Sequence, residues 1–231
     1  FESGTTNKWG QYDNRDRCAV VTSAADGIVG VHAGSRMARC NWNGVVAWND
    51  PAAYETLRVD ISNYTNELFI RTWIRVDNNL ARTSGSPTKL LRFYYFSNGI
   101  YHDLFSTIYP GDSLSNSAAV TPGFGDFPTY WGDAPGDNSS RSSEWHKVEY
   151  YIHQSNGTIK CWHDGILIRN NTGNNFQGIK WTDFYITSNW SDPHGATNYV
   201  YFDDFEVYSD AGSGATGSMS DATISAGGGG G

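Results

Sequence analysis

The chain has 231 residues, enough for one large domain or two small ones, and all-β sandwiches of this length commonly form a single unit. Its formal charge is −8, and its sixteen Lys and Arg residues form no contiguous basic run, which argues against a nucleic-acid-binding protein. No apolar stretch approaches the length of a bilayer-spanning helix. The chain starts at Phe1 without an initiator Met, as expected of a secreted protein after leader removal or of a fragment.

The composition is rich in aromatic residues, with nine Trp, fourteen Tyr and eleven Phe, and has only two Met. No stretch combines strong helix formers with an apolar period of 3.6 residues. Aromatic residues are instead typical of strands. The composition therefore predicts an all-β domain.

Short strand-like stretches recur along the chain, separated by clusters of Gly, Asn, Asp and Ser that favour turns. Twelve such stretches suit a two-sheet sandwich: 17–22, 28–32, 36–42, 56–60, 67–76, 89–96, 100–108, 145–153, 157–162, 165–169, 179–188 and 198–208. The segment 110–143 carries three Pro-Gly turn signals and is predicted to be one long loop. Loops of that length are often functional.

The three cysteines allow one disulfide bond. Cys18 and Cys40 lie on predicted antiparallel strands joined by turns, so we expect them to be bonded to each other. Cys161 alternates with polar neighbours and is predicted to be a small buried apolar residue. Pairs of cysteines at the spacing of zinc ligands are missing, which argues against a zinc site.

Alternation along the central strands predicts which residues line the core and which lie on the outer face. The even positions of 68–76 are mostly aliphatic, and Val148, Tyr150 and Ile152 continue this inner face. The outer face is predicted to combine aromatic and charged residues: Phe69, Arg71, Trp73, Arg75, Trp145, Lys147, Glu149, Tyr151, His153, Lys160 and Trp162. Cations interleaved with aromatic rings are typical of a surface that binds acidic sugars.

The apolar phase changes near the end of the predicted sandwich. Val200 and Phe202 share one parity, whereas Phe205 and Val207 have the other. A one-residue change of phase predicts a β-bulge at Asp203-Asp204.

Residues 211–231 have a different composition from the preceding 210. Gly, Ser, Ala and Thr dominate this segment, which ends in five glycines. Such a segment cannot bury enough apolar surface to offset its ordering entropy, so we expect a β-sandwich domain over 1–210 and a tail or linker over 211–231. The tail, or an edge strand of a sheet, is also a candidate contact for self-assembly.

Two segments of the chain carry a family resemblance. Trp-His-Lys-Val-Glu-Tyr-Tyr-Ile at 145–152 and Asn-Gly-Thr-Ile-Lys-Cys-Trp-His-Asp-Gly-Ile-Leu at 156–167 resemble the central hairpins of concanavalin A-like and laminin-G-like sandwiches, in particular the polysaccharide-lyase-like branch. Segments 67–75, 89–93 and 201–207 agree with it. The resemblance implies an all-β fold, a two-sheet antiparallel jelly-roll sandwich. In it, Asp164-Gly165 forms a tight hairpin turn.

The resemblance also implies a metal site. Many jelly-roll binding modules hold a structural Ca²⁺ between an acidic residue near the N-terminus and an acidic pair in the last strand, and Glu2, Asp203 and Asp204 match that pattern. Oxygen ligands are those that Ca²⁺ prefers. The alternative is that Asp203 and Asp204 are solvated or accept hydrogen bonds from turn amides.

The outer face built from 67–76, 89–96, 145–153 and 157–162 is the candidate sugar-binding surface. Indole and phenol rings stack on the apolar faces of pyranose rings, and cations pair with uronate or sulfate groups. The candidate ligand-binding residues are Arg71, Trp73, Arg75, Arg92, Lys147, Tyr151, Lys160 and Trp162. The alternative is that these rings are covered by loops and act in packing.

Lyase chemistry on a uronate needs a group that neutralises the carboxylate and a Tyr or His base. These residue types are supplied by Arg71 or Arg75 together with Tyr151, His153 or His102. The Arg-Ser-Glu-Leu and Gln-Ile-His motifs familiar from alginate-lyase sandwiches are missing, however, and so is the paired-carboxylate strand of sandwich glucanases.

Three functions remain open on the sequence. The first is a secreted carbohydrate-binding or lectin-like domain whose partner is a polysaccharide, possessing an aromatic groove without a converging acid and base. The second is a polysaccharide lyase. The third is a structural subunit of an extracellular or virion surface assembly.

Overall fold

Period-two alternation of apolar and polar residues favours β-strands, and the central strands of the described part of the chain follow it. The computed structural model describes residues 10–11, 18–24, 27, 30–41, 57–62, 66–76, 88–97, 100–108, 113–119, 127–130, 144–174, 176–186 and 199–209. Within these ranges every regular element is a strand, which confirms the all-β prediction. In the same ranges, no helix is long and apolar enough to cross a bilayer.

The strands form two seven-stranded sheets. In chain order they are β1 (Gly10–Gln11), β2 (Cys18–Val21), β3 (Met37–Asn41), β4 (Leu57–Asp60), β5 (Glu67–Val76), β6 (Thr88–Ser97), β7 (Ile100–Ile108), β8 (Ser113–Ala119), β9 (Phe127–Tyr130), β10 (His146–His153), β11 (Thr158–His163), β12 (Ile166–Asn171), β13 (Lys180–Ile186) and β14 (Tyr199–Ser209). Sheet 1 has the order β1-β4-β13-β6-β7-β8-β9, and sheet 2 has the order β12-β11-β10-β5-β14-β3-β2. All their pairings are antiparallel, as expected of the jelly-roll sandwich.

Three sequence-based expectations about strands are wrong. β8 and β9 lie within 110–143, which was expected to be one loop, because β8 consists mostly of small polar residues that carry no alternating signal. Residues 30–32, part of an expected strand, are not in a strand, and the backbone has positive φ at Gly30 and Gly34. The third error concerns 89–96: β6 belongs to sheet 1, so Arg92 does not share a sheet with Arg71.

The core lies between the two sheets and follows the predicted parity. From sheet 2 it receives side chains of β3, β5, β10, β11 and β14, and from sheet 1 those of β6 and β13. Phe93 of β6 lies at the centre, in edge-to-face contact with Tyr150, Trp181 and Phe184. The face of β5 that carries Arg71 is therefore turned away from the core.

Two local predictions about turns and bulges are confirmed. Asp164 and Gly165 have φ values of 49° and 80° and join β11 to β12, as a two-residue hairpin with two positive φ angles requires. In β14 the register against β5 shifts between Asp203 and Glu206, and Asp204 has a φ of 45°. The extra residue restores the apolar phase, because Phe202 and Phe205 both pack on the core.

The predicted disulfide bond is also confirmed. Cys18 of β2 lies directly opposite Cys40 of β3, and the two sulfur atoms are bonded. It ties β2, at one edge of sheet 2, to its neighbour. Cys161 is not part of the disulfide bond and is fully buried in the core, as expected from its neighbours.

Candidate functional site

The outer face of sheet 2 brings the predicted cations and aromatic residues together across three strands. Trp73 lies at the centre of this face, opposite Lys147 of β10 on one side and Asp203 of β14 on the other. Two residues along β5, Arg71 has Glu149 and Glu206 as its cross-strand neighbours. Side chains that are directly opposite on one face of a sheet are in contact range, so an indole, two cations and three carboxylates share this area.

Arg71 is the centre of a charge network. Its Nε and Nη2 both lie 2.9 Å from Oε1 of Glu149, a carboxylate that is completely buried. Lys147 Nζ lies 3.3 Å from the other oxygen of Glu149. Arg71 Nη1 donates to Glu206 Oε2 over 3.2 Å, and this second carboxylate is 38% exposed. Arg71 is thus held by the buried carboxylate of Glu149 on one side. On the other side it forms an ion pair with the more exposed carboxylate of Glu206.

A second polar cluster lies at the other end of β5 and β10. The hydroxyl of Tyr151 donates to Glu67 Oε1 over 2.9 Å, and His153 Nε2 lies 3.1 Å from the same oxygen. Burial raises the pKa of Tyr151 above its ordinary range, and the hydrogen bond to Glu67 and the negative charge of Glu67 raise it further. The phenol is therefore held in its neutral form, which is unfavourable for a general base.

Residues 30–36 form a strap that reaches Trp73. The imidazole of His32 stacks on the indole of Trp73, with ring centroids 3.7 Å apart and an angle of 18° between the planes. The ring of Trp145 meets the same imidazole edge-on at 6.0 Å, and its Nε1 donates to the carbonyl oxygen of Gly30 over 2.9 Å. The strap therefore covers the part of the outer face where Trp73 and Trp145 lie.

The bulge in β14 anchors this strap. Asp203 is 2% exposed, and its Oδ2 accepts hydrogen bonds from the backbone N–H groups of His32 and Ala33. Its Oδ1 accepts one from the N–H of Asp204, whose own carboxylate Oδ2 lies 2.6 Å from Nδ1 of His32. Burial raises the pKa of Asp203, and the amides of Ala33, Asp204 and His32 oppose that rise.

These bonds correspond to the hydrogen-bonded alternative that the sequence left open for the acidic pair. Within the described residues, no three His, Cys, Asp or Glu side chains are grouped so as to hold a metal ion. Glu2, the third ligand predicted for Ca²⁺, lies outside the described residues. The calcium site therefore stays a prediction.

The structure places the predicted ligand-binding residues in three different settings. Arg71, Trp73, Lys147 and Lys160 lie on the outer face of sheet 2 and are partly exposed. Arg75, Tyr151 and Trp162 belong to the same face by register but are only 1%, 8% and 2% exposed, so they are packing residues in this conformation. The guanidinium of Arg75, for example, lies 5.1 Å from the ring centroid of the buried Tyr201. Arg92, as described above, belongs to sheet 1.

Sequence reasoning missed two residues of this surface. Glu206 was recoverable, because the phase change that predicts the bulge also places position 206 on the outer face. His32 carries no comparable signal: it lies 41 residues from Trp73 in the chain, in a segment whose pattern favours a strand.

No family model matches the sequence, and no curated protein is similar to it in sequence. Among solved structures with the same fold, the marine PL-14 alginate lyase from Aplysia kurodai has a TM-score of 0.56 and 13% identity, covering 84% of this chain and 87% of the lyase chain. The alginate lyase vAL-1 from Chlorella virus has a TM-score of 0.55 and 10% identity, covering 88% and 93%. These similarities confirm the fold, a jelly-roll β-sandwich.

Proposed function

We propose that this chain is an extracellular carbohydrate-binding sandwich domain whose ligand is an acidic polysaccharide. One observation carries the proposal: the register of β5 and β10 places the indole of Trp73 directly opposite Lys147 and two residues from Arg71. An indole stacks on the apolar face of a pyranose ring, and a neighbouring cation pairs with its carboxylate or sulfate group. The disulfide bond between Cys18 and Cys40 supports an oxidising, extracellular location.

The charge network supports an anionic ligand. Glu149 keeps Arg71 and Lys147 side by side and removes much of their freedom, so less entropy is lost when a ligand binds them. The Arg71–Glu206 pair on the solvent side is partly exposed, and such pairs contribute little free energy. A ligand carboxylate can therefore replace Glu206 on the guanidinium at low cost.

Calorimetric titration with alginate and polygalacturonate, and with neutral dextran for comparison, tests this proposal. We expect binding of the acidic chains that weakens with salt, and a loss of about tenfold or more in affinity for Trp73→Ala and for Lys147→Gln. Gln keeps a polar side chain at this position, so that Lys147→Gln removes mainly the charge that pairs with Glu149. Lys180→Gln on sheet 1 is the matched control, because Lys180 is exposed and distant from Trp73 in sheet order.

Two outcomes contradict the proposal. Absence of binding to acidic glycans by the folded wild-type protein excludes the function. Loss of binding on Arg92→Ala but not on Lys147→Gln moves the ligand to sheet 1.

A polysaccharide lyase is the second candidate, because the fold is shared with two alginate lyases and Arg71, Tyr151 and His153 lie on one face. The hydrogen bonding of both Tyr151 and His153 to Glu67, together with the raised pKa of the phenol, favours binding over proton abstraction. Incubation with alginate and with polygalacturonate separates the two functions. A lyase generates the ultraviolet absorbance of unsaturated uronate ends, and a binding domain does not.

A structural subunit of a surface assembly is the third candidate. β12 is an edge strand of sheet 2, and its Leu167 is 45% exposed, which is compatible with pairing between copies. Light scattering over a range of protein concentrations tests it. A chain that stays monomeric at high concentration, and also without residues 211–231, contradicts this candidate.

A further inference from the structure

The ring face of Trp73 is already in contact with a flat group, the imidazole of His32. The two rings are nearly parallel, and their centroids are 3.7 Å apart. Carbon atoms at van der Waals contact are about 3.5–4.0 Å apart, which is also the separation at which a pyranose ring rests on an indole. His32 therefore occupies the volume that a stacked sugar needs.

The attachment of His32 differs between its backbone and its side chain. Its N–H is bonded to Asp203, which is buried at 2% exposure. Its imidazole is bonded to Asp204, and these two side chains are 27% and 38% exposed. Partly exposed pairs of this kind contribute little stability, whereas a buried carboxylate with three backbone donors is expensive to disrupt. The side chain can therefore rotate away while the strap stays in place.

We propose that His32 is an intrinsic competitor for the sugar-stacking position on Trp73, and that a uronate ring of the bound polysaccharide displaces it. This inference rests on the proposed function and assigns the subsite on which one sugar ring binds. Rotation of His32 releases Asp204, whose carboxylate then accepts hydrogen bonds from sugar hydroxyl groups. Lys147, opposite Trp73, pairs with the uronate carboxylate.

Two substitutions at one position separate occupancy of the stacking position from the tether to Asp204. His32→Ala removes the ring and leaves the backbone bond to Asp203. His32→Phe keeps a ring on Trp73 and removes the bond to Asp204. A stacked pair contributes enough to change an equilibrium by about two- to tenfold, so we expect His32→Ala to bind polygalacturonate tighter by that factor. His32→Phe remains at or below the wild-type affinity.

A readout that needs no ligand tests the covering of Trp73 itself. Acrylamide quenching of tryptophan fluorescence should increase in His32→Ala relative to the wild type. In a Trp73→Phe background the same substitution should produce a much smaller increase, because the edge contact of Trp145 with the imidazole is then left to report its removal. Thermal unfolding and circular dichroism establish that each variant is folded.

The outcomes separate this inference from the proposed function. Increased quenching together with tighter glycan binding in His32→Ala supports both. A folded His32→Ala variant with unchanged quenching, or with unchanged or weaker binding in a protein whose wild type binds the glycan, overturns the inference alone. If neither the wild type nor His32→Ala binds any acidic glycan, the proposed function and the subsite are both rejected.

Discussion

The fully buried carboxylate of Glu149 lies next to Arg71 on the neighbouring strand. The Nε and Nη2 atoms of Arg71 are both 2.9 Å from Oε1 of Glu149. A carboxylate can be accommodated at such a depth only when cations and donors compensate for its lost hydration. Lys147 supplies the second cation at 3.3 Å. The surface that we propose for ligand binding is therefore also part of the stability of the fold.

Removing one partner of this pair should destabilise the protein. Arg71→Ala leaves the buried carboxylate of Glu149 with Lys147 alone, and we expect the free energy of unfolding to fall by about 3 kcal/mol. The double variant Arg71→Met/Glu149→Leu removes both charges and should recover most of that loss. Urea denaturation of Arg71→Met, of Glu149→Leu and of the double variant measures the coupling between the two side chains. Strictly additive losses contradict a coupled pair.

Asp203 should make stability depend on pH. Burial raises the pKa of Asp203 above the ordinary value of 3.8, so the folded chain keeps this proton at a pH where the unfolded chain has lost it. The contribution of Asp203 is therefore fully present below its ordinary pKa and declines as the pH rises through its folded-state pKa. Asp203→Asn should remove this decline, as measured by urea denaturation between about pH 3.5 and 7. Asp204→Asn removes a charge that helps to raise this pKa, so it should reduce the decline without abolishing it.

Glu206 should limit the affinity for anionic ligands. Its carboxylate occupies Arg71 Nη1, so Glu206→Gln weakens the internal pair and should tighten binding of polygalacturonate about two- to fivefold while leaving binding of neutral dextran unchanged. Glu144→Gln removes the same charge at an exposed position outside the network and controls for net charge. An equal gain in both variants points to general electrostatic attraction instead.

The calcium site predicted from Glu2, Asp203 and Asp204 can be tested by the effect of calcium on the melting temperature (Tm). A cation that binds only the folded state raises the melting temperature, and the rise grows with the logarithm of its concentration once this exceeds the Kd. Calcium addition after dialysis against a chelator should therefore raise the Tm, and Glu2→Gln should reduce the rise. A Tm that is insensitive to calcium leaves the amide hydrogen bonds as the full explanation of Asp203.

Local sequence patterns predicted well which face of its strand each residue occupies, because successive side chains of a strand point to opposite faces of the sheet. Trp73 and Lys147 were expected on one outer face, and the register confirms that they are direct neighbours. The hairpin at Asp164-Gly165 and the bulge in β14 also depend on local backbone conformation.

Partnerships between distant segments were not predictable in the same way. Alternation predicts that Arg92 and Arg71 each lie on the outer face of their strand. It does not indicate which of the two sheets each strand joins. The stacking of His32 on Trp73 depends on a strap held by Asp203, 171 residues further along the chain. Such a contact is created only when β2, β3, β5 and β14 have come together in sheet 2.

The extra residue at Asp203-Asp204 makes the length of β14 more important than its composition. With the bulge, Phe205 packs on the core and Glu206 reaches Arg71; without it, the parity of every later position would invert. Glu206 would then be forced between the sheets, and Phe205 would enter water. Deletion of Asp203 or Asp204 should consequently prevent folding. Point substitutions, including Asp204→Gly at its positive φ, should be tolerated far better.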